Sequence, residues 1–328
     1  MIIMIGYFKI LKMIRIKLSF FFVFICCIQL SLFAQRDTIH LNNQWQFVTD
    51  KQSEGFKREW YLGILPNART VAIPHTWNIE DSNQTHYGWA WYQKKINVPV
   101  TYKNKQTVIE FGAINHTAYI YLNGVKIAEN IGDGFSKFKL DLTGKLKIGA
   151  DNVLTVAVNN DYGKNKVPFG SSFDWPNDGG IIRKVKMIVT NLVAPQEIFV
   201  TPTLHKDSSA TVRIRLPFNK AILEKKYAGL KSKLKLNIQI TPELDQYKRL
   251  HHQPNLTVHE LARKQMTGDL VMPEWDGVNA YATVQIPKVK PWHIDFPHLY
   301  FVGIFITTDS ELIDVIGTTV GFRTVEFI

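Results

Sequence analysis

Short runs in which apolar and polar residues alternate recur along most of the chain, separated by turn residues. In Ser136–Gly149, Phe138, Leu140 and Leu142 fall on one face and Lys137, Lys139 and Asp141 on the other, the period of two that marks a half-buried strand. Asn152–Asn160 is apolar at most positions, which predicts a strand covered on both faces. In Thr117–Asn130 two apolar runs flank Asn123 and Gly124. That dipeptide supplies the positive φ values of a type I′ turn and predicts a tight hairpin. Thr107–Ile114 and Arg183–Val193 add two further strands, and no long amphipathic helix interrupts residues 40–190. This half therefore predicts a sandwich or jelly roll.

Pro195 marks a seam. Beyond it, Glu197–Leu204, Ala210–Phe218, Lys233–Pro242, Ala280–Pro287, Leu299–Thr308 and the closing run Val315–Ile328 are apolar enough to form strands at the spacing of an immunoglobulin-like sandwich. Asn219–Lys233, with Ile222, Leu223, Tyr227 and Leu230, fits a helical turn or two instead. The expected fold class is all-β throughout, with domains at 35–194 and 195–328.

Residues 1–34 read differently. Lys9, Lys12, Arg15 and Lys17 precede an apolar run from Leu18 to Phe33, and the small residue Ala34 follows. A positive region, an apolar region and a small residue at the cleavage point make a secretory signal peptide. An uncleaved anchor would need about 20 apolar residues. The expectation is export to the periplasm, cell surface or medium, with no membrane span after cleavage. Cys26 and Cys27 both lie in this segment, so the mature chain has no disulfide and depends on its core. Lipidation at Cys26 is the minor alternative, because Ile25 is not the small residue that such processing favours.

Removing residues 1–34 leaves 35 basic against 28 acidic residues, so the net charge falls from +11 to +7. The surplus is spread along the chain instead of gathered in a stripe with interleaved aromatics, which argues against nucleic acid as a partner. His75, His116, His251 and His252 show no metal-ligand spacing, and no metal or other cofactor is expected.

Several segments together resemble glycoside hydrolase family 2, which includes β-galactosidases, β-glucuronidases and β-mannosidases. In order they are "QWQF", "IPHTWN", "GWAWYQKKINVP", "IEFGAINHTAYIYLNGVKIAENIGDGFSKFKLDLT", "GADNVLTVAVNN" and "DWPNDGGIIRKVKMIV". The later "KPWHIDFPHLYFV" and "GTTVGFRTVEF" are similar to the domain that follows in that family. The resemblance implies a galactose-binding-like jelly roll followed by an immunoglobulin-like β-sandwich. It also implies a third domain, a catalytic TIM barrel of about 250 residues, with two glutamates, one preceded by asparagine. The sequence contains no Asn-Glu dipeptide. The expectation is a non-catalytic N-terminal portion of a glycosidase, truncated or split before the barrel and inactive by itself.

The resemblance also implies that a loop at "SSFDWPNDGG" reaches toward the sugar, with Asp174 the best match and Trp175, Asn177 and Asp178 beside it. Carboxylates and amides bond sugar hydroxyls, and an indole packs on the apolar face of a pyranose. The same composition also fits a plain turn. Tyr87, Trp89, Trp91 and Tyr92 form a second candidate group, as a sugar platform or as core. Alternation places Trp89 and Trp91 on one strand face and Ala90 and Tyr92 on the other. The expected partner is a β-linked glycan, with a separate barrel chain or a second copy as further candidates. Two other functions stay open: a stand-alone carbohydrate-binding module, and a structural or interaction protein that docks a partner.

Overall fold

The computed structural model describes residues 36–161, 177–225, 228–242, 269–309 and 311–325. Two compact units divide the chain, one of residues 37–189 and one that takes in Arg36 and the residues from Thr190 onward. Among the described residues no helix is long and apolar enough to cross a membrane.

The first unit is built from β1 (Asp37–His40), β2 (Trp45–Thr49), β3 (Arg69–Val71), β4 (Trp89–Val98), β5 (Lys105–Phe111), β6 (Thr117–Leu122), β7 (Val125–Asn130), β8 (Phe138–Asp141), β9 (Ala150–Asn159) and β10 (Val185–Asn191). They form a six-stranded sheet in the order β3-β2-β4-β9-β6-β7 and a four-stranded sheet in the order β1-β10-β5-β8. Such non-consecutive order is that of a jelly-roll sandwich. The hairpin forms where Asn123 and Gly124 predict it. Leu122 pairs with Val125, and the two turn residues have φ of 51° and 84°.

The alternation in β4 and β9 is filled on both sides. Ala90, Tyr92, Ile96 and Val98 of β4 and Leu154, Val156 and Val158 of β9 enter the main core, where they meet Phe47, Ile109, Phe111 and Met187. Trp91 and Ala157 point the other way, into a second cluster with Leu65 and Tyr121. The irregular stretch from Asp50 to Ala68 covers that outer face with Phe56, Trp60 and Tyr61. Asp50, only 2% exposed, fastens this cover. Its carboxylate accepts from the backbone amides of Glu54 and Gly55, both at 2.8 Å, and from the Trp91 indole at 3.2 Å. Periodicity finds β9 as a doubly covered strand, but an irregular cover has no period to read.

The second unit contains β11 (Phe199–Leu204), β12 (Ala210–Pro217), β13 (Lys235–Pro242), β14 (Asp269–Val271), β15 (Glu274–Asp276), β16 (Asn279–Ile286), β17 (Tyr300–Thr307) and β18 (Leu312–Val320). Two four-stranded sheets, β11-β12-β16-β15 and β14-β13-β17-β18, make an immunoglobulin-like sandwich. Val212, Ile214, Leu236, Ile238, Val284, Val302 and Ile304 alternate into its core. The 219–233 segment forms a six-residue helix, α1 (Lys220–Lys225), and a single 3-10 turn at Ala228–Leu230, burying Leu223 and Leu230.

Two features differ from the sequence reading. β14 and β15 have three residues each, too short to show alternation. The closing run leaves the sheet after Val320, and Phe322 drops into the core with no exposed surface while its carbonyl accepts from Trp292 at 2.7 Å. A backbone carbonyl bonded to an adjoining segment is unavailable to a strand ladder, so the strand ends there.

Candidate functional site

Asp174 and Trp175 lie outside the described residues. Asn177 and Asp178 are described, and both are half-buried. They are gripped by three buried asparagines from separate parts of the first unit: Asn78, Asn115 and Asn160, at 7%, 2% and 0% exposure.

Asn160 sits just past the end of β9. Its side-chain amide donates to the Asn177 carbonyl at 2.8 Å and to Asn78 Oδ1 at 3.0 Å. Asn177 returns a bond from its own Nδ2 to the Asn160 carbonyl. Asn78 Oδ1 also accepts from the Gly179 amide at 2.8 Å, while Asn78 Nδ2 donates to the carbonyls of Gln84 and His86, both at 3.1 Å. Asn115, between β5 and β6, donates from Nδ2 to Asn177 Oδ1 at 3.1 Å and to the Asp178 carbonyl at 2.6 Å. Its backbone forms an antiparallel bridge with Gly180, with bonds of 2.8 and 2.9 Å. An asparagine amide offers two donors and an acceptor, so three of them can satisfy a stretch of backbone that belongs to no strand ladder.

Gly179 and Gly180 complete the seat by being small. A Cβ on Gly179 would collide with the Trp77 indole, and one on Gly180 would strike the His75 carbonyl. Gly180 also has φ of 148°, where a side chain is strained.

The same cradle brings the two candidate segments together. Asn160 Oδ1 accepts from the Gly88 amide at 3.0 Å, so Tyr87–Gly88 and Asn177 rest on one side chain. The aromatic group itself divides. Trp91 and Tyr92 are fully buried, Trp89 is half-buried against Phe56 and Tyr119 at ring separations of 4.7 and 5.2 Å, and Tyr87 stands 37% exposed. Most of the ring surface in "YGWAWY" is therefore core, and Tyr87 is its most exposed ring.

Burial raises the Asp178 carboxyl above the ordinary carboxylate range, and among the described residues its side chain has no hydrogen-bond or ion-pair partner. A half-desolvated acceptor of this kind gains from a hydroxyl donor.

Against Gly180 lies a part-buried relay that sequence reading missed. His75 Nε2 meets Glu80 at 3.0 Å, and His75 Nδ1 meets the Tyr92 hydroxyl at 2.6 Å. Burial lowers the His75 pKa against the opposing pull of Glu80, so above pH 6.5 the ring is neutral. Burial pushes the Glu80 carboxyl up, but hydrogen bonds from Arg69, Asn83 and His75 outweigh it and hold the group below its usual range. Ionised Glu80 only accepts, so the ring proton is on Nε2 and Tyr92 donates to Nδ1. The His75 amide then bonds the Ile181 carbonyl at 2.9 Å, tying the relay to the segment that carries Asp178.

The tripeptides Asn83-Gln84-Thr85 and Asn115-His116-Thr117 read as glycosylation sequons, but both asparagines are buried, at 7% and 2%. Asn255 lies outside the described residues.

The described architecture is a jelly-roll sandwich that holds an irregular polar segment on buried asparagines, and an immunoglobulin-like sandwich. Residues 39–191 match the sugar binding domain of glycosyl hydrolases family 2, and residues 194–323 match a second domain of glycosyl hydrolases family 2. The chain belongs to this family.

A β-glucuronidase of Formosa agariphila is 25% identical over 320 residues, which cover 90% of this chain and 30% of that enzyme. A β-galactosidase of Thermoanaerobacter pseudethanolicus is 25% identical over 300 residues, covering 89% and 36%. The solved β-glucuronidase of an uncultured Clostridium sp. has a TM-score of 0.68 at 25% identity, covering 90% of this chain and 47% of that one. The chain thus spans between 30% and 47% of the length of these relatives.

Proposed function

We propose that this chain supplies the carbohydrate-contacting and spacer domains of an exported β-glycosidase, and that Asp178, Asn177 and Tyr87 contact the glycan together with Asp174 and Trp175. Trp89, packed on Phe56 and Tyr119, anchors the chain two residues beyond Tyr87. The observation that carries the reading is the half-buried Asp178 carboxylate, without a described partner, on a segment held by three buried asparagines. A carboxylate held in one place at the surface of a sugar-binding-type fold can accept a bond from a ring hydroxyl at little entropic cost. The names of the relatives, β-glucuronidase and β-galactosidase, support a β-linked glycan as the ligand class. Export rests on Lys9–Ala34 having the layout of a signal peptide. The reading assigns binding and orientation to these residues and bond cleavage to none of them.

Affinity electrophoresis of the mature chain against polymers rich in β-linked glucuronic acid or galactose tests this. Retardation is expected, weakened by Asp178→Ala and by Trp175→Ala. A protein that no polymer retards, or whose retardation both variants leave unchanged, would sink the reading.

A further inference from the structure

Asn115 differs from the other two asparagines in what its side chain holds. Asn78 Nδ2 also supports Gln84 and His86, and Asn160 Oδ1 also supports Gly88. The Asn115 amide instead reaches the Asn177 side chain and the Asp178 carbonyl. Its backbone bridges to Gly180, two residues beyond Asp178. One residue thus pins the chain before Asp178, at Asp178 and after it. With those points fixed, the Asp178 carboxylate has only its own side-chain torsions left to vary.

Asn115 is itself immobile. It is 2% exposed, and its Oδ1 lies against the backbone of Gly134, where any Cβ would collide with it. A buried amide wedged in this way cannot flip or swing without breaking both donor bonds, so its geometry is imposed on its neighbour.

We propose that Asn115 is the positioning residue that aims the Asp178 carboxylate outward for a glycan hydroxyl. This rests on the proposed carbohydrate contact at Asp178. It does not require Asn115 to touch the ligand, and its burial rules that out.

The test compares Asn115→Ala and the near-isosteric Asn115→Asp with Asp178→Asn, using methyl β-D-glucuronide and methyl β-D-galactoside as probes and three readouts. Both Asn115 variants should weaken the affinity by about fivefold to tenfold, the worth of one or two hydrogen bonds. Followed by carbon NMR, the Asp178 carboxyl titration should move back toward the ordinary carboxylate range as the side chain gains water. The amides of Gly179 and Gly180 should exchange faster. An unchanged Asp178 titration with unchanged glycine exchange overturns the proposal even if affinity falls, because a general loss of stability would produce that alone. Asp178→Asn binding as well as the unaltered protein overturns the carbohydrate-contact reading, and the two NMR readouts then still decide whether Asn115 places the carboxylate. Should the Asn115 variants fail to fold, exchange of the Asn115 side-chain amide protons in the unaltered protein decides: slow exchange supports the wedge, and exchange at the free-amide rate overturns it.

Discussion

The two sandwiches are both all-β, yet their interiors are made of different material. Among the described residues, eleven of the thirteen buried polar side chains lie within residues 37–189, Thr190 lies in β10 at the division, and Asp314 belongs to the second unit. The first unit also buries Trp45, Trp77, Trp91 and Tyr92, whereas the core of the second is mainly Val, Leu and Ile. The difference follows from what each must hold. Among the described residues, the irregular stretches of the second unit are satisfied largely by backbone bonds, such as Trp292 to the Phe322 carbonyl and Val289 to the Ser208 carbonyl, and its core is stabilised chiefly by apolar burial. The first unit must keep Asn177–Gly180 and the cover from Asp50 to Ala68 in place, and only buried donors and acceptors can do that. Polar burial concentrated in one sandwich therefore marks where the chain holds irregular backbone in place, the candidate segment Asn177–Gly180 included.

The sharpest way to break this contrast is its exception. Arg36 donates to Asp314 at 2.6 Å and to the Pro195 carbonyl at 3.0 Å, with the Asp314 side chain 1% exposed. Arg36→Ala removes the cation bonded to a buried carboxylate, which costs about 3–5 kcal/mol. Urea unfolding should show that loss, and adding Asp314→Asn should recover part of it. A loss below about 1 kcal/mol would mean the pair behaves like a surface one.

A smaller effect is expected at Asn160, where alanine removes both donors and strands the Gly88 amide. The cost is about 2 kcal/mol, read by chemical denaturation. If Asn160→Ala is neutral, the cradle is replaceable by water and the contrast between the interiors loses its meaning.

The smallest effect is one of pH. His75 titrates below its ordinary 6.5, so the unfolded chain binds a proton that the folded chain refuses. Its contribution is complete above pH 6.5 and is lost as the pH falls below that value. Glu80, also lowered, adds a separate loss only below its ordinary 4.5. Stability measured from about pH 7.5 down to about pH 5.5 should therefore decline, and His75→Gln should flatten the decline. An unchanged slope in that variant would remove His75 as its source.

Sequence reading reached the strands whose alternation is long enough to count, and it reached the Asn123-Gly124 turn because that chemistry is local. It did not reach the cradle. Asn160 and Asn78 are 82 positions apart and Asn115 and Asp178 are 63 apart, and nothing in an asparagine's immediate neighbours reveals a tertiary partner. Trp91 and Trp89 show the same limit. Alternation places them on one face, but their fate as core depends on Phe56 and Tyr119, which come from other segments.

Gly179 and Gly180 have a consequence for how this surface can diversify. Any side chain at Gly179 strikes the Trp77 ring, and any at Gly180 meets the His75 carbonyl in a strained conformation. In a pooled saturation library both positions should therefore accept glycine alone, whatever trait is selected. Asp178 should accept many residues under selection for folding and few under selection for glycan retention. The boundary between inheritance of shape and inheritance of specificity would then fall between two adjacent codons, 178 and 179.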